Sequence, residues 1–175
     1  MRTWTSVPGA ILLALSIGAC DSGPRALIAG EDACRYCRMT IDDPRFGAIV
    51  MTSHGKIETF DSIECLASFV AGLPATAPAK GIWVADFEHP SHWIDVHTAK
   101  FLHRSRLRSP MGRELAAFDV AASPDSLRQA YGGTVLDWPA AQNVVRQSAF
   151  APTGAPVDLT ISGAGAAAAT PAHTH

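Results

Sequence analysis

The stretch from residue 46 to residue 60 constrains the fold most, because two short apolar runs flank one turn. Residues 46–52, Phe-Gly-Ala-Ile-Val-Met-Thr, and residues 57–60, Ile-Glu-Thr-Phe, are typical of short β-strands. Between them lies Ser-His-Gly-Lys at 53–56, a sequence that favours a tight turn. The stretch therefore predicts a β-hairpin.

The residues that follow change from strand to helical periodicity. Asp61 is predicted as the N-cap of a helix, with Glu64 at the third helical position as in a capping box. Apolar residues then recur on one helical face until Gly72 and Pro74 end the helix. Residues 44–72 thus predict a β-β-α unit.

The pattern recurs in a looser form downstream. Strands are predicted over 82–87, 93–96, 100–103, 115–118 and 135–136, and helices over 124–131 and from Pro139 to about 148. We therefore expect an α+β fold of two ββα-type units packed as one small protein. The first unit spans about 31–75 and the second about 81–148, which together make a domain over 31–148.

The N-terminus resembles an export signal that ends in a cysteine. Arg2 precedes an apolar run over 10–17 that is too short to cross a bilayer, and Ile17-Gly18-Ala19-Cys20 follows. Small residues before a cysteine are what a bacterial lipoprotein signal requires, because the cysteine thiol accepts the lipid. We expect a signal peptide over 1–19, lipidation at Cys20, a tether over 20–30, and a periplasmic protein anchored to the membrane.

The C-terminal segment 151–175 is dominated by Ala, Gly, Thr and Pro without periodicity, and its composition predicts a disordered tail. It ends in His173-Thr174-His175, which is interpreted as part of that tail, with copper scavenging as the alternative.

Composition excludes several functions. The chain has 175 residues and a formal net charge of −2, with no long basic run, so a nucleic-acid partner is not expected. No Ser-His-Asp order, phosphate loop or pair of acid–base carboxylates stands out, and an enzyme is not expected.

The number of cysteines limits the roles that their thiols can have. With Cys20 lipidated, Cys34, Cys37 and Cys65 remain, and an odd number of thiols in an oxidising compartment disfavours a purely structural disulfide framework.

The Cys34-x-x-Cys37 motif has three interpretations. A thiol–disulfide reductant needs the motif at a helix N-terminus, but the turn-prone residues 39–44 follow. A structural zinc site needs two more ligands, of which Cys65 is one and no histidine pair is convincing.

The third interpretation is a site for a soft metal ion. Met39 lies two residues after Cys37, so both sulfur atoms can face one ion from a turn. Met111 lies between Pro110 and Gly112, where a bulky apolar residue has little packing reason to be. Thiolate and thioether sulfur together select Cu(I) over harder ions.

The chain resembles the NosL family of copper-chaperone lipoproteins, which accompany nitrous oxide reductase. The resemblance rests on the lipobox cysteine Cys20 and on a set of short motifs in family order. These are Cys34-Arg35-Tyr36-Cys37-Arg38-Met39, Phe60-Asp61-Ser62, Trp93-Ile94-Asp95-Val96, Ser109-Pro110-Met111-Gly112, Leu115-Ala116-Ala117-Phe118 and Tyr131-Gly132-Gly133-Thr134-Val135-Leu136.

The resemblance implies one Cu(I) bound by sulfur and delivered to nitrous oxide reductase and its membrane maturation complex. Cys37, Met39 and Met111 match the family's sulfur positions, and Cys34 matches a cysteine that many members have. Cys65 matches no expected ligand and is interpreted as a small buried residue on a helix. Arg38 replaces the usual glycine, a change that matters if the backbone there has a positive φ.

Overall fold

The structure, a computed structural model, describes residues 24–148. The predicted signal peptide, Cys20 and the C-terminal tail lie outside the described residues. In chain order the elements are a 3-10 helix Pro44–Phe46, β1 Ala48–Met51, β2 Ile57–Phe60, α1 Ile63–Ala71, β3 Gly81–Ala85, β4 Trp93–Asp95, β5 Lys100–His103, β6 Ala116–Phe118, α2 Pro124–Tyr131, β7 Thr134–Leu136 and α3 Trp138–Gln147. The α+β class is confirmed.

The first sheet is antiparallel, with strand order β2-β1-β3-β4. Its central strand β1 places Ala48 opposite Phe60 of β2 and Val84 of β3, and all three side chains are buried. The predicted hairpin of β1 and β2 is therefore confirmed. β1 begins two residues later than predicted, because Pro44 opens a 3-10 helix that the Asp43 carboxylate caps.

The second sheet, β6-β5-β7, repeats the arrangement of the first. In both β1-β2-α1-β3 and β5-β6-α2-β7, the first strand is central, the second pairs on one side, and the strand after the helix pairs on the other. Each unit is thus the predicted ββα arrangement extended by one strand, ββαβ. β3 and β4 complete the first sheet, so the predicted division between units at about residues 75–81 does not separate the sheets.

The helix of the second unit matches its predicted range, 124–131. It ends at Gly132, whose backbone N–H donates to the Arg128 carbonyl. Gly133 follows with φ of 85°, and a Cβ there would lie 2.5 Å from the carbonyl oxygen of His103. Only glycine fits this close approach of the chain to β5.

Helix α1 begins one residue later than the predicted capping box requires. Ser62, not Asp61, is the N-cap, and its side chain accepts a hydrogen bond from the backbone N–H of Cys65 at 3.2 Å. Serine and aspartate cap helices about equally well, so the sequence does not distinguish two such neighbours. The shift frees the Asp61 carboxylate for another contact and places Glu64 at the second helical position.

One main apolar core joins both sheets and two of the helices. It contains Phe60 of β2, Leu66 of α1, Phe101 of β5 and Trp138 of α3, all buried. The rings of Phe101 and Trp138 pack with centroids 5.5 Å apart. The two units therefore share one core, as predicted for a single small protein. Among residues 24–148, no helix is long and apolar enough to cross a membrane.

Candidate metal centre

A tight turn at Cys34–Met39 holds the first two thiols. The backbone N–H of Cys34 donates to the Met39 carbonyl at 2.8 Å, and that of Arg38 donates to the Cys34 carbonyl at 2.9 Å. Arg38 closes the turn with φ of 66°, in the left-handed region. The Arg35 N–H donates to the carbonyl of Thr59 at 2.8 Å, which fixes the turn against β2.

Two further donors reach this turn from the start of α1. Because β2 leads directly into the helix, Asp61 and Cys65 lie beside the turn at its buried end. Ligand atoms of Cys34, Cys37, Asp61 and Cys65 all lie within 4.8 Å of one another. We call these four residues the sulfur cluster. Cys34 and Cys65 are buried, Cys37 is half-buried, and all three thiols are free.

The three thiols of the sulfur cluster differ in acidity. A hydrogen bond from the Cys65 thiol lowers the pKa of Cys34 to about 7. The same hydrogen bond raises the pKa of Cys65, which is also buried. Burial raises the pKa of Cys37 to about 11. Cys34 is therefore the thiol that ionises first without a metal ion, and Cys65 stabilises it as a thiolate.

The Asp61 carboxylate is the oxygen donor of the cluster. The Cys37 thiol donates to its Oδ2 at 3.4 Å. Its Oδ1 is buried and has no hydrogen-bond partner among the described residues. A buried carboxylate oxygen without a donor is costly unless a cation compensates it, so the cluster suits a bound cation.

The two predicted methionine ligands lie at different depths. The Met39 side chain is 53% exposed. Met111 is partly buried against the main core, which Cys37 also contacts. The loop that carries Met111 is tied to α1, because Ser109 donates to the buried carboxylate of Glu64 at 2.5 Å. Glu64 precedes Cys65, so adjacent residues of α1 supply one thiol and hold the Met111 loop.

Comparison with known proteins identifies the family. The sequence model of the NosL family matches residues 25–144. The chain belongs to the NosL family. A similar solved structure is the crystal structure of the copper chaperone NosL from Shewanella denitrificans, with a TM-score of 0.55 and 22% identity over 67% of this chain and 94% of that chain. That similarity supports the fold. A search of curated proteins gives no match.

Membership of the NosL family confirms the predicted resemblance and places the protein outside the enzymes. The thiol–disulfide reductant interpretation also lacks its helix: the Cys34–Cys37 motif lies in a turn, and the next α-helix of this NosL chain begins only at Ile63. A helix N-terminus directly after the motif is what lowers the first thiol's pKa in such enzymes.

Two members of the cluster lie outside the ligand set that the resemblance implies. Cys65, a candidate ligand in the zinc interpretation and otherwise interpreted as a small buried residue, is buried on α1, and its thiol hydrogen-bonds Cys34. Asp61 was interpreted only as a cap. The available signal was the short spacing from the strand end at Phe60 to the helix, which brings both residues to one sheet edge.

Proposed function

We propose that this protein is a periplasmic copper chaperone, anchored to the membrane through Cys20, that binds one Cu(I) and delivers it to nitrous oxide reductase. The observation that carries the proposal is the sulfur cluster, in which three thiols and a carboxylate converge within 4.8 Å. Soft sulfur donors select Cu(I). Family membership and the similarity to a solved copper chaperone support copper as the metal.

The proposed ligands are Cys34, Cys37, Met39 and Met111, with Cys65 added by its place in the cluster. Cys34 offers a thiolate near neutral pH, since its pKa is about 7. Cys37, with a pKa of about 11, must release a proton to the solvent when it binds the ion. Thioether sulfur carries no proton, so the methionines bind independently of pH.

The proposed route of transfer leads through the exposed side of the cluster. Cys34 and Cys65 are buried, whereas Cys37 is half-buried and Met39 is largely exposed. Acceptor ligands therefore reach the ion first from the side of Cys37 and Met39. Stepwise replacement of these ligands releases Cu(I) without opening the core. The recipient, nitrous oxide reductase with its membrane maturation complex, rests on the family resemblance, and the Cys20 anchor holds the donor at that membrane.

An anaerobic Cu(I) titration against a chromophoric Cu(I) chelator tests the proposal, with Zn²⁺ titrated in parallel. The full chain is expected to withdraw one equivalent of Cu(I) from the chelator. Met39→Leu and Met111→Leu remove a sulfur atom at similar volume and should weaken Cu(I) binding. Met51→Leu, within β1, is the matched control and should bind like the wild type. Equal affinity of all four proteins would exclude the methionines, and no uptake would overturn the proposal.

A structural zinc site is the second candidate function, and the position of Cys65 favours it. Three cysteines and one carboxylate also suit four-coordinate Zn²⁺. The two candidates differ in what Cys65 does. A structural site requires Cys65 as much as Cys37 and loses its fold on chelation. A copper carrier keeps its far-ultraviolet circular dichroism after chelation.

A further inference from the structure

A second group of metal-ligating side chains lies where the two sheets meet. Asp86 follows β3, His92 precedes β4, and Asp119 follows β6. Ligand atoms of these three residues lie within 4.8 Å of one another. The Nδ1 atom of His92 is 3.9 Å from Oδ2 of Asp86 and 3.8 Å from Oδ2 of Asp119. His89 adds a second imidazole, with Nδ1 at 4.0 Å from Oδ2 of Asp86.

The Asp86 carboxylate is the buried member of this group. Its side chain is only 6% exposed. Oδ1 accepts a hydrogen bond from the Glu88 N–H at 2.9 Å, whereas Oδ2 faces the two imidazoles and accepts no hydrogen bond from any described residue. A carboxylate on a side chain this buried needs a partner for its charge. The imidazoles of His89 and His92 face its free oxygen, and a cation held between them would supply that partner.

Asp119 presents its carboxylate in the same way from the other sheet. Its Oδ1 accepts from the Ala121 N–H at 2.7 Å, which leaves Oδ2 directed at His92. Among residues 24–148, neither carboxylate forms an ion pair with lysine or arginine, and histidine is the only basic side chain within 4.0 Å of either one. Two carboxylates therefore converge without a permanent positive charge between them.

The distances between these donor atoms are longer than hydrogen bonds and close to the distances between ligands of one metal ion. Donor atoms in a tetrahedral zinc site lie about 3.3 Å apart, because each bond is about 2.0–2.1 Å long. The two His92 distances, 3.9 and 3.8 Å, need only a small contraction, and the ligand atoms of Asp86, His92 and Asp119 all lie within 4.8 Å of one another. His89 and His92 are 74% and 54% exposed on their side chains, so both can turn toward an ion.

We propose that Asp86, His92 and Asp119, with His89, form a site for a divalent first-row transition ion such as Zn²⁺ or Cu²⁺. Imidazole and carboxylate donors suit borderline divalent ions and not Cu(I), so the site is chemically distinct from the sulfur cluster. The ion links the two units, because Asp86 directly follows β3 of the first sheet and Asp119 directly follows β6 of the second. The sheets already touch there, with the Phe87 N–H donating to the Ala117 carbonyl at 2.9 Å.

Co²⁺ absorption spectroscopy of the full chain tests this site, because thiolate ligands add charge-transfer bands that imidazole and carboxylate ligands lack. We expect one Co²⁺ equivalent whose d–d bands appear without thiolate charge transfer. His92→Ala and Asp119→Asn should each weaken the binding of this thiolate-free Co²⁺ by about tenfold or more. His97→Ala removes an exposed imidazole outside the group and should leave it unchanged.

Thermal unfolding with Zn²⁺ then tests the link between the sheets. A metal ion that binds only the folded state raises the melting temperature of the wild type. That increase should be smaller in both His92→Ala and Asp119→Asn. Both variants change partly exposed side chains, so failure to fold is not expected. Co²⁺ bound only with thiolate charge transfer would overturn the proposal, as would Asp119→Asn behaving like the wild type.

Discussion

At the scale of single residues, Arg38 has a backbone conformation that residues other than glycine rarely adopt. It holds φ of 66°, where a Cβ crowds the backbone and glycine does not. We expect Arg38→Gly to raise the free energy of unfolding by about 0.5–1 kcal/mol, since relief of this strain exceeds the extra entropy of glycine in the unfolded chain. Urea denaturation of the purified chain measures the change.

Arg38→Ala is the matched control, because it removes the same guanidinium but keeps the Cβ. It should show none of the stabilisation. If glycine and alanine gave the same gain, the effect would come from the charge and not from the backbone. The glycine that the family resemblance assigns to this position is thus explained by the turn geometry, which the sequence motif could not reveal.

Proximity within the site follows from the sequence only for residues that are close along the chain. Cys34 and Cys37 share one short motif, and one turn brings their thiols within 4.8 Å of each other. Cys65 lies 28 positions after Cys37, and its place depends on β2 ending beside the turn. Proximity of that kind comes from tertiary packing, which no local pattern encodes.

At the scale of elements, Glu64 joins α1 to the loop that carries Met111. It is fully buried, accepts from Ser109 at 2.5 Å and from the Leu115 N–H at 3.4 Å, and burial raises its pKa. The folded state therefore keeps the Glu64 proton to higher pH than the unfolded state does. Stability contributed by the protonated form is lost as pH rises from the ordinary glutamate pKa through the raised one.

We expect Glu64→Gln to remove this loss, because glutamine keeps the acceptor oxygen without the charge. The wild type should lose about 1.4 kcal/mol of unfolding free energy for each unit by which the pKa is raised. Urea denaturation across mildly acidic to neutral pH measures both profiles. Glu31→Gln, at an exposed carboxylate, should follow the wild type. Parallel slopes for wild type and Glu64→Gln would contradict the assignment.

The predicted bounds of an element are most accurate where the residues that begin and end it are unambiguous. α2 lies between Ser123 and Gly132, and its range matches the prediction. The start of α1 was displaced by one residue because Asp61 and Ser62 are both good caps. The sheet membership of β3 and β4 was not predictable, since strand pairing depends on partners distant in sequence.

At the scale of the whole molecule, the shared core makes the two ββαβ units depend on each other. Phe101 is fully buried on the central strand of the second sheet, yet it belongs to the same core as Phe60 of the first. We expect Phe101→Ala to lower the free energy of unfolding by about 3–5 kcal/mol. Phe101→Leu, which keeps most of the volume, should cost about 1 kcal/mol.

Whether the two units unfold together decides how the loss of stability is distributed between them. If the core couples both units, hydrogen exchange of the Ile49 and Val50 amides in β1 should accelerate as much as that of the Leu102 amide in β5. Loss of protection confined to β5 and its partners would instead show two separately stable units. Joint unfolding is the expected result, because neither small sheet alone buries enough apolar surface to remain folded. The sulfur cluster lies on the first unit, and the Met111 loop precedes β6 of the second. The two therefore keep their relative positions only while the entire domain is folded.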